Sequence, residues 1–323
     1  MSVLEVRDLV VEVGTAHGPM TVVSGVSLAV AAGETLGLVG ESGSGKTLTA
    51  LATMRLLGTT ARIASGQVLL EGTDLTTLPE RRMRDVRGGR IGMVFQEPMT
   101  ALDPAYTVGE QVAETVRRHL GVGRAEAWKR AVAALDRVGI PSAERRARDY
   151  PHHFSGGMRQ RVVIAMALSC DPVMLLADEP TTALDVTVQE QILTLLGALR
   201  DESGLAMLFI SHDLGVIADI CDRVAVMYAG QVVESAPVHE LFAHPRHPYT
   251  EALLRCVPDA EGSRLATIPG TVPAFDALPD GCRFAPRCEL AAPQCTSGPI
   301  ALAQVRADHR SRCVRVDELV AAS

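Results

Sequence analysis

Aromatic residues are scarce: six Phe, four Tyr and one Trp make up 3% of 323 residues. A core without many large rings has to be filled by Val, Leu, Ala and Ile, and an apolar content of 47% supplies them. Long apolar runs are missing too. None reaches the ~18 residues of a membrane-spanning helix, and the longest candidate, 162–177, is broken by Asp171-Pro172. The N-terminus lacks a basic stretch followed by an apolar one, so no signal peptide is expected. Positive charge is not in excess: a net charge of −7 and a pI of about 5.7 argue against nucleic acid as a partner. No internal repeat is visible. These absences leave a soluble or peripheral cytoplasmic protein, long enough for one large domain and a smaller one.

What is present begins with Gly40-Glu41-Ser42-Gly43-Ser44-Gly45-Lys46-Thr47, which fits the phosphate-loop pattern G-x-x-x-x-G-K-S/T at every fixed position. A short apolar run, 35–39, precedes it. Behind it, Leu48, Leu51, Ala52 and Leu56 mark one face of a helix. Gly40, Gly43 and Gly45 permit positive φ and a close backbone approach. Successive N–H groups can then surround phosphate oxygens at the positive end of the helix dipole. Lys46 is expected to reach the β- and γ-phosphates, and the Thr47 hydroxyl to ligate Mg²⁺.

The pattern elsewhere is α/β. Residues 3–30 alternate as strands, 65–72 reads as a strand bounded by glycines, and the basic stretch 81–90 as an exposed loop. The strand 91–95 ends at Gln96. From 97 to about 150 the period is helical. Thr107 and Glu110 form a capping box, Thr accepting from the N3 amide and Glu reaching back. A helix over 124–138 stops at Gly139 and Pro141. Helices at 156–169 and 186–199 alternate with strands at 173–177 and 205–210, and two strands follow over 223–234. Such alternation predicts a largely parallel sheet with helices on both faces and an antiparallel edge. Residues 1–250 are read as a nucleotide-binding domain with a helical subdomain at about 97–160. Residues 251–323, rich in Pro and without clear periodicity, form an extension.

Ligands bind at the C-terminal edge of a parallel sheet. Four strand ends here carry polar groups: the phosphate loop, Gln96, Asp178-Glu179 and His212. Asp178 suits the acid that holds Mg²⁺ through water, or a plain helix N-cap. Glu179 can orient or deprotonate an attacking water. Gln96 can touch Mg²⁺ and that water, and His212 can donate to a γ-phosphate.

Phe154-Ser155-Gly156-Gly157-Met158-Arg159-Gln160-Arg161 resembles the signature sequence of ABC-transporter ATPases. Asp178-Glu-Pro-Thr-Thr-Ala-Leu-Asp185 resembles their Walker B segment and D-loop, and Gln96 and His212 match the Q-loop and switch histidine. The resemblance covers about residues 1–240. It implies a P-loop ABC-ATPase domain using ATP and Mg²⁺, and a sandwich dimer. Ser155, Gly156 and Gly157 would then face the other subunit's nucleotide, with Asp185 beside it. Residues 244–254 and 281–288 look like the C-terminal extension of dipeptide/oligopeptide importer ATPases. That implies a subunit powering an importer from the cytoplasmic face of the cell membrane. Its partners would be a second, paralogous ABC ATPase, two membrane permease subunits and, through them, an extracytoplasmic solute-binding protein. The segment 97–111, apolar and rich in turns, is expected to receive a short coupling helix of the permeases. One departure stands out: Val11-Glu12-Val13 holds no aromatic residue where the family stacks one on adenine. Two other readings remain. A soluble ABC-type ATPase of DNA repair or chromosome maintenance needs a long insertion, yet Gln96 and Ser155 are 59 residues apart. A small-molecule phosphotransferase leaves the Ser-Gly-Gly helix and His212 unexplained.

Four of seven cysteines, Cys282, Cys288, Cys295 and Cys313, fall in the extension. Small modules with little apolar sequence commonly need a metal or disulfides, and a reducing cytoplasm disfavours disulfides. Four thiolates suit zinc or a 4Fe–4S cluster. No C-x₂-C knuckle is present, and the importer resemblance implies the 4Fe–4S cluster, with zinc as the alternative. Cys170, Cys221 and Cys256 read as small buried residues.

Overall fold

The computed structural model describes residues 2–95, 101–182, 184–256 and 267–321, of which 319–321 are described by backbone alone. The chain divides into two compact units. One comprises residues 1–4, 30–34 and 70–210, the other 5–29, 35–69 and 211–323.

In the first unit, strands Ile91–Val94, Met174–Asp178 and Ala206–Ser211 lie side by side and parallel. Ile91 is opposite Met174, and Met174 opposite Ala206. Every residue in these strands is buried, which is why they read as unbroken apolar runs rather than alternations. The helical segment also forms. Helix Val108–Leu120 buries Val108, Val112 and Val116, and helix Arg124–Arg137 buries Ala127, Ala131 and Leu135. Both pack on helix Gly156–Leu168. The expected capping box is half realised. Thr107 Oγ1 accepts from the Glu110 amide, while the Glu110 carboxylate accepts from Arg117 at 2.9 Å.

The stretch 81–90 is not a loop: Glu80–Val86 is a helix. Pro79 caps it, where a missing N–H costs nothing. Glu80 pairs with Arg84 one turn on and with Arg87 at 2.6 Å. Only Met83 is fully buried, so the helix carries too short an apolar stripe to show in the sequence.

The second unit holds a mixed sheet. Thr35–Val39, the strand before the phosphate loop, runs parallel to Arg223–Tyr228, with Leu36 opposite Arg223. The chain reverses at Ala229 and Gly230, both at positive φ as a tight hairpin requires, into the antiparallel strand Gln231–Pro237. His309–Ser311 and then Ala303–Arg306 continue the sheet. The Pro-rich extension therefore supplies two strands, with Ala303–Arg306 at the edge. A second sheet contains Gly18–Ala31, Ser2–Thr15 and Ala61–Leu70 in that order. Among the described residues, no helix is long and apolar enough to cross a membrane.

Candidate functional site

In the second unit the phosphate loop leaves the fully buried strand Thr35–Val39 and enters helix Lys46–Thr53. All three glycines named from the sequence have positive φ: 155° at Gly40, 78° at Gly43 and 100° at Gly45. Gly40 has a further reason to lack a side chain, since a Cβ there would meet the Met227 carbonyl oxygen at 2.1 Å. The loop is pinned from behind, where Gly230 N–H donates to Ser44 O at 2.9 Å. Lys46 is buried, and its ammonium donates to Gly40 O at 2.7 Å, Glu41 O at 3.1 Å and Ser44 Oγ at 3.4 Å. The positive charge thus sits inside the loop's own concavity. Ser42, Gly43 and Thr47 are exposed on the mouth of the loop. His212 is exposed beside Asp213, whose carboxylate caps helix Leu214–Ile220 through Gly215 and Val216.

In the first unit, Asp178 ends its strand 3% exposed. Glu179 follows at φ 48°, a left-handed conformation that a residue with a Cβ rarely takes outside special sites. Its N–H donates to Ile210 O at 3.0 Å, and its carboxylate accepts from Thr182 Oγ1 at 3.0 Å. Both contacts hold the acid at the strand end. Ser155 caps helix Gly156–Leu168, its hydroxyl accepting from the Met158 amide. Gly156 and Gly157 form the first turn, where amides have no partner within the helix. A Cβ on Gly157 would meet Val188 Cγ1 at 2.4 Å, so the glycine lets this turn pack closely on helix Val186–Ser203. Asp185 is the N-cap of that helix, accepting from Val188 N at 2.9 Å. Gln96 lies outside the described residues, as do residues 97–100 of the expected coupling segment. Tyr106, in the rest of that segment, is 56% exposed.

The four extension cysteines line one cavity of about 200 Å³ with His247, Phe284 and Leu290 among its walls. Backbone bonds hold them in place: Cys282 N–H donates to Cys295 O at 2.7 Å, and Cys288 N–H to Ala285 O at 3.3 Å. Burial pushes the thiols of Cys282 and Cys288 above their ordinary value and that of Cys313 up to about 11. Buried His247 has its pKa pushed down to about 3 by desolvation, then by Arg312. Its Nδ1 accepts from Tyr249 N at 3.1 Å, so the neutral ring carries its proton on Nε2, 4.0 Å from Cys282 Sγ. Among the described residues, no three His, Cys, Asp or Glu side chains converge closely enough to hold a single metal ion.

The structure also places residues at the loop that the sequence pattern did not single out. Tyr249 OH accepts the Glu41 amide at 2.9 Å, and burial keeps this phenol protonated. Arg287 grips the Glu41 carboxylate with both terminal nitrogens, at 2.7 and 3.0 Å. Arg283 donates to Ala229 O. The available signal was their clustering in 247–249 and 281–288, two segments that the importer resemblance had already marked.

Two family profiles match the chain: "ABC transporter" over residues 23–182, and "Oligopeptide/dipeptide transporter, C-terminal region" over residues 233–295. A putative peptide import ATP-binding protein of Brucella melitensis is 52% identical over 333 residues, covering 99% of this chain and 98% of that one. The oligopeptide transport ATP-binding protein OppD of Salmonella typhimurium is 51% identical, covering 92% and 89%. Among solved structures, a dimeric ATP-binding cassette bound to ADP and Pi aligns with a TM-score of 0.65 at 28% identity, covering 73% of this chain and 98% of that one.

Proposed function

The chain belongs to the ATP-binding proteins of ABC transporters, in the peptide and oligopeptide import group, and from that membership we propose the roles of its residues. It is the ATPase subunit of a peptide or oligopeptide importer. The observation that carries this conclusion is the joint match of the ATPase region and the importer-type C-terminal region in one chain. The same match disfavours a DNA-maintenance ATPase, which has no use for that C-terminal region.

ATP phosphates enter the loop 40–47. The backbone amides of the glycine turns and of the first helical turn receive their oxygens. Lys46 exchanges its bonds to loop oxygens for bonds to the β- and γ-phosphates, whose larger charge draws the ammonium. The exposed hydroxyl of Thr47, the side chain of Gln96 and Asp178, through water, would hold Mg²⁺. When bound, that ion would offset the charge of the phosphates. Glu179 orients and deprotonates the attacking water, and His212 donates to the γ-phosphate. Ser155, Gly156 and Gly157 offer a hydroxyl and helix N-terminal amides to the nucleotide of a second ATPase subunit, and Asp185 steadies the adjoining helix. ATP-driven closure of this dimer would drive transport. Its partner would be a paralogue, and two permeases with a solute-binding protein would complete the importer at the cytoplasmic face.

The cysteine cavity would hold a 4Fe–4S cluster. The donor set fits, since four thiols, that of Cys295 buried and the other three half-buried, line one cavity without meeting at a single-ion site. The cluster would supply cross-linking of the extension rather than electron transfer. His247, with its proton on Nε2, would face the Cys282 sulfur.

Vesicles carrying the assembled importer provide the test. ATP should drive uptake of labelled oligopeptide, and Lys46→Ala should abolish both ATP binding and uptake. Unchanged uptake with Lys46→Ala would refute the assignment.

A further inference from the structure

Arg287 lies in a short 3-10 turn, Ala285–Arg287, immediately before Cys288. Its side chain is 4% exposed, yet it meets the phosphate loop 246 residues earlier in the chain. Every arm of the guanidinium is engaged. Nη1 and Nη2 take the two oxygens of Glu41, and Nε donates to Pro269 O at 2.9 Å. Nη1 also reaches Tyr228 OH at 3.4 Å, and Nη2 reaches Ile268 O at 3.3 Å. The plane lies over the Tyr228 and Phe284 rings at 5.8 and 5.9 Å. A two-pronged Arg–carboxylate pair fixes orientation as well as distance.

Glu41 is the second residue of the phosphate loop, and it is held at three points. Its amide goes to Tyr249 OH, its carbonyl receives Lys46 and Ser44 N–H, and its carboxylate goes to Arg287. Two of the three anchors come from the C-terminal part of the chain. The third point carries a charge argument. A carboxylate next to a phosphate-binding turn repels the incoming phosphates unless it is paired. Salt screens a partly buried pair of charges poorly.

We propose that Arg287 is a positioning residue of the nucleotide site: it fixes the phosphate loop through Glu41 and cancels the carboxylate charge where the phosphates of ATP arrive. This makes the cysteine-bearing extension part of the ATP site. The inference rests on the reading of residues 40–47 as the nucleotide loop.

The experiment is equilibrium ATP binding by the full-length chain, purified anaerobically, with metal content and melting temperature recorded for each variant. Wild type should bind ATP. Arg287→Met should bind at least tenfold more weakly, and Arg287→Lys should fall between the two because it restores charge without the fork. Adding Glu41→Gln to Arg287→Met should recover a large part of the lost affinity, since no uncancelled carboxylate then remains. A purely supportive role for Arg287 would not produce that recovery. Hydrogen exchange of peptides spanning 40–47 should rise in Arg287→Met and return toward wild type in Arg287→Lys. Arg287→Met affinity within twofold of wild type overturns the proposal, and so does a double variant as weak as Arg287→Met. If Arg287→Met does not fold, Arg287→Lys with wild-type affinity and wild-type exchange overturns it. A wild-type chain that binds no ATP overturns the nucleotide-loop reading itself.

Discussion

Glu179→Gln keeps the side chain's shape and can still accept from Thr182, but it removes the base. Turnover should fall by ~10²-fold or more while ATP binding persists. The assay is ATP hydrolysis by the assembled complex with the partner ATPase's own site disabled. Two further substitutions use the φ of 48° at this position. The left-handed conformation costs a residue with a Cβ roughly 1–2 kcal/mol, and glycine avoids that cost. Glycine also loosens the unfolded chain, which takes back about 0.4–1 kcal/mol. Glu179→Gly and Glu179→Ala both lose the Thr182 hydrogen bond, so that loss cancels between them. The Gly variant should therefore be about 1 kcal/mol more stable than the Ala variant by chemical denaturation, though neither hydrolyses ATP. An Ala variant as stable as the Gly variant would refute the claim that the strand end is strained. Wild-type turnover by Glu179→Gln would remove the residue from the hydrolytic step.

Three other outcomes are expected. Gly40→Ala places a Cβ 2.1 Å from the Met227 carbonyl oxygen at a φ of 155°, so ATP affinity measured by calorimetry should drop more than ~10-fold, and unchanged affinity would contradict the close approach. Anaerobic purification should yield a brown protein with about four iron and four sulfide per chain, reduced to near zero when Cys282 and Cys313 are both replaced by Ser; one zinc and no iron would sink the cluster. Tyr106→Cys should cross-link to the membrane subunits, and failure there alongside success at other exposed positions would count against the coupling surface.

What could be read from the chain and what could not follows from how local each signal is. The phosphate loop, the strand ending at Asp178 and the helix capped by Ser155 are each set by a dozen consecutive residues, and each appears where its pattern places it. The end of the helix read as 186–199 was missed: the apolar stripe stops at Leu199, but Val186–Ser203 runs a further turn to Gly204 at φ 64°. Glu80–Val86 was hidden because a single buried methionine leaves it no apolar stripe to read. Glu110 left its capping box for Arg117, a choice between two donors that spacing does not decide. The bonds from Tyr249 and Arg287 to Glu41 span 208 and 246 residues, and no periodicity encodes such meetings. The positive φ at Glu179 has no local signature either, because glutamate is an ordinary residue in any strand end's sequence.

Thr35 N–H donates to Asp222 Oδ2 beside the parallel pairing of Thr35–Val39 with Arg223–Tyr228, so the first half of that pair is made 187 residues before the second. At a ribosomal rate of ~5–20 residues/s, the wait is roughly 10–40 s. Throughout that interval Leu36, Leu38 and Val39, all buried at the end, have no neighbour on that side. The phosphate loop cannot settle until its backing strand and the Gly230 amide arrive. A nascent chain of this design should bind co-translational chaperones along residues 35–39. Release from them should coincide with synthesis passing the hairpin at Ala229-Gly230, which ribosome profiling of chaperone-bound nascent chains would show as a loss of occupancy beyond that point.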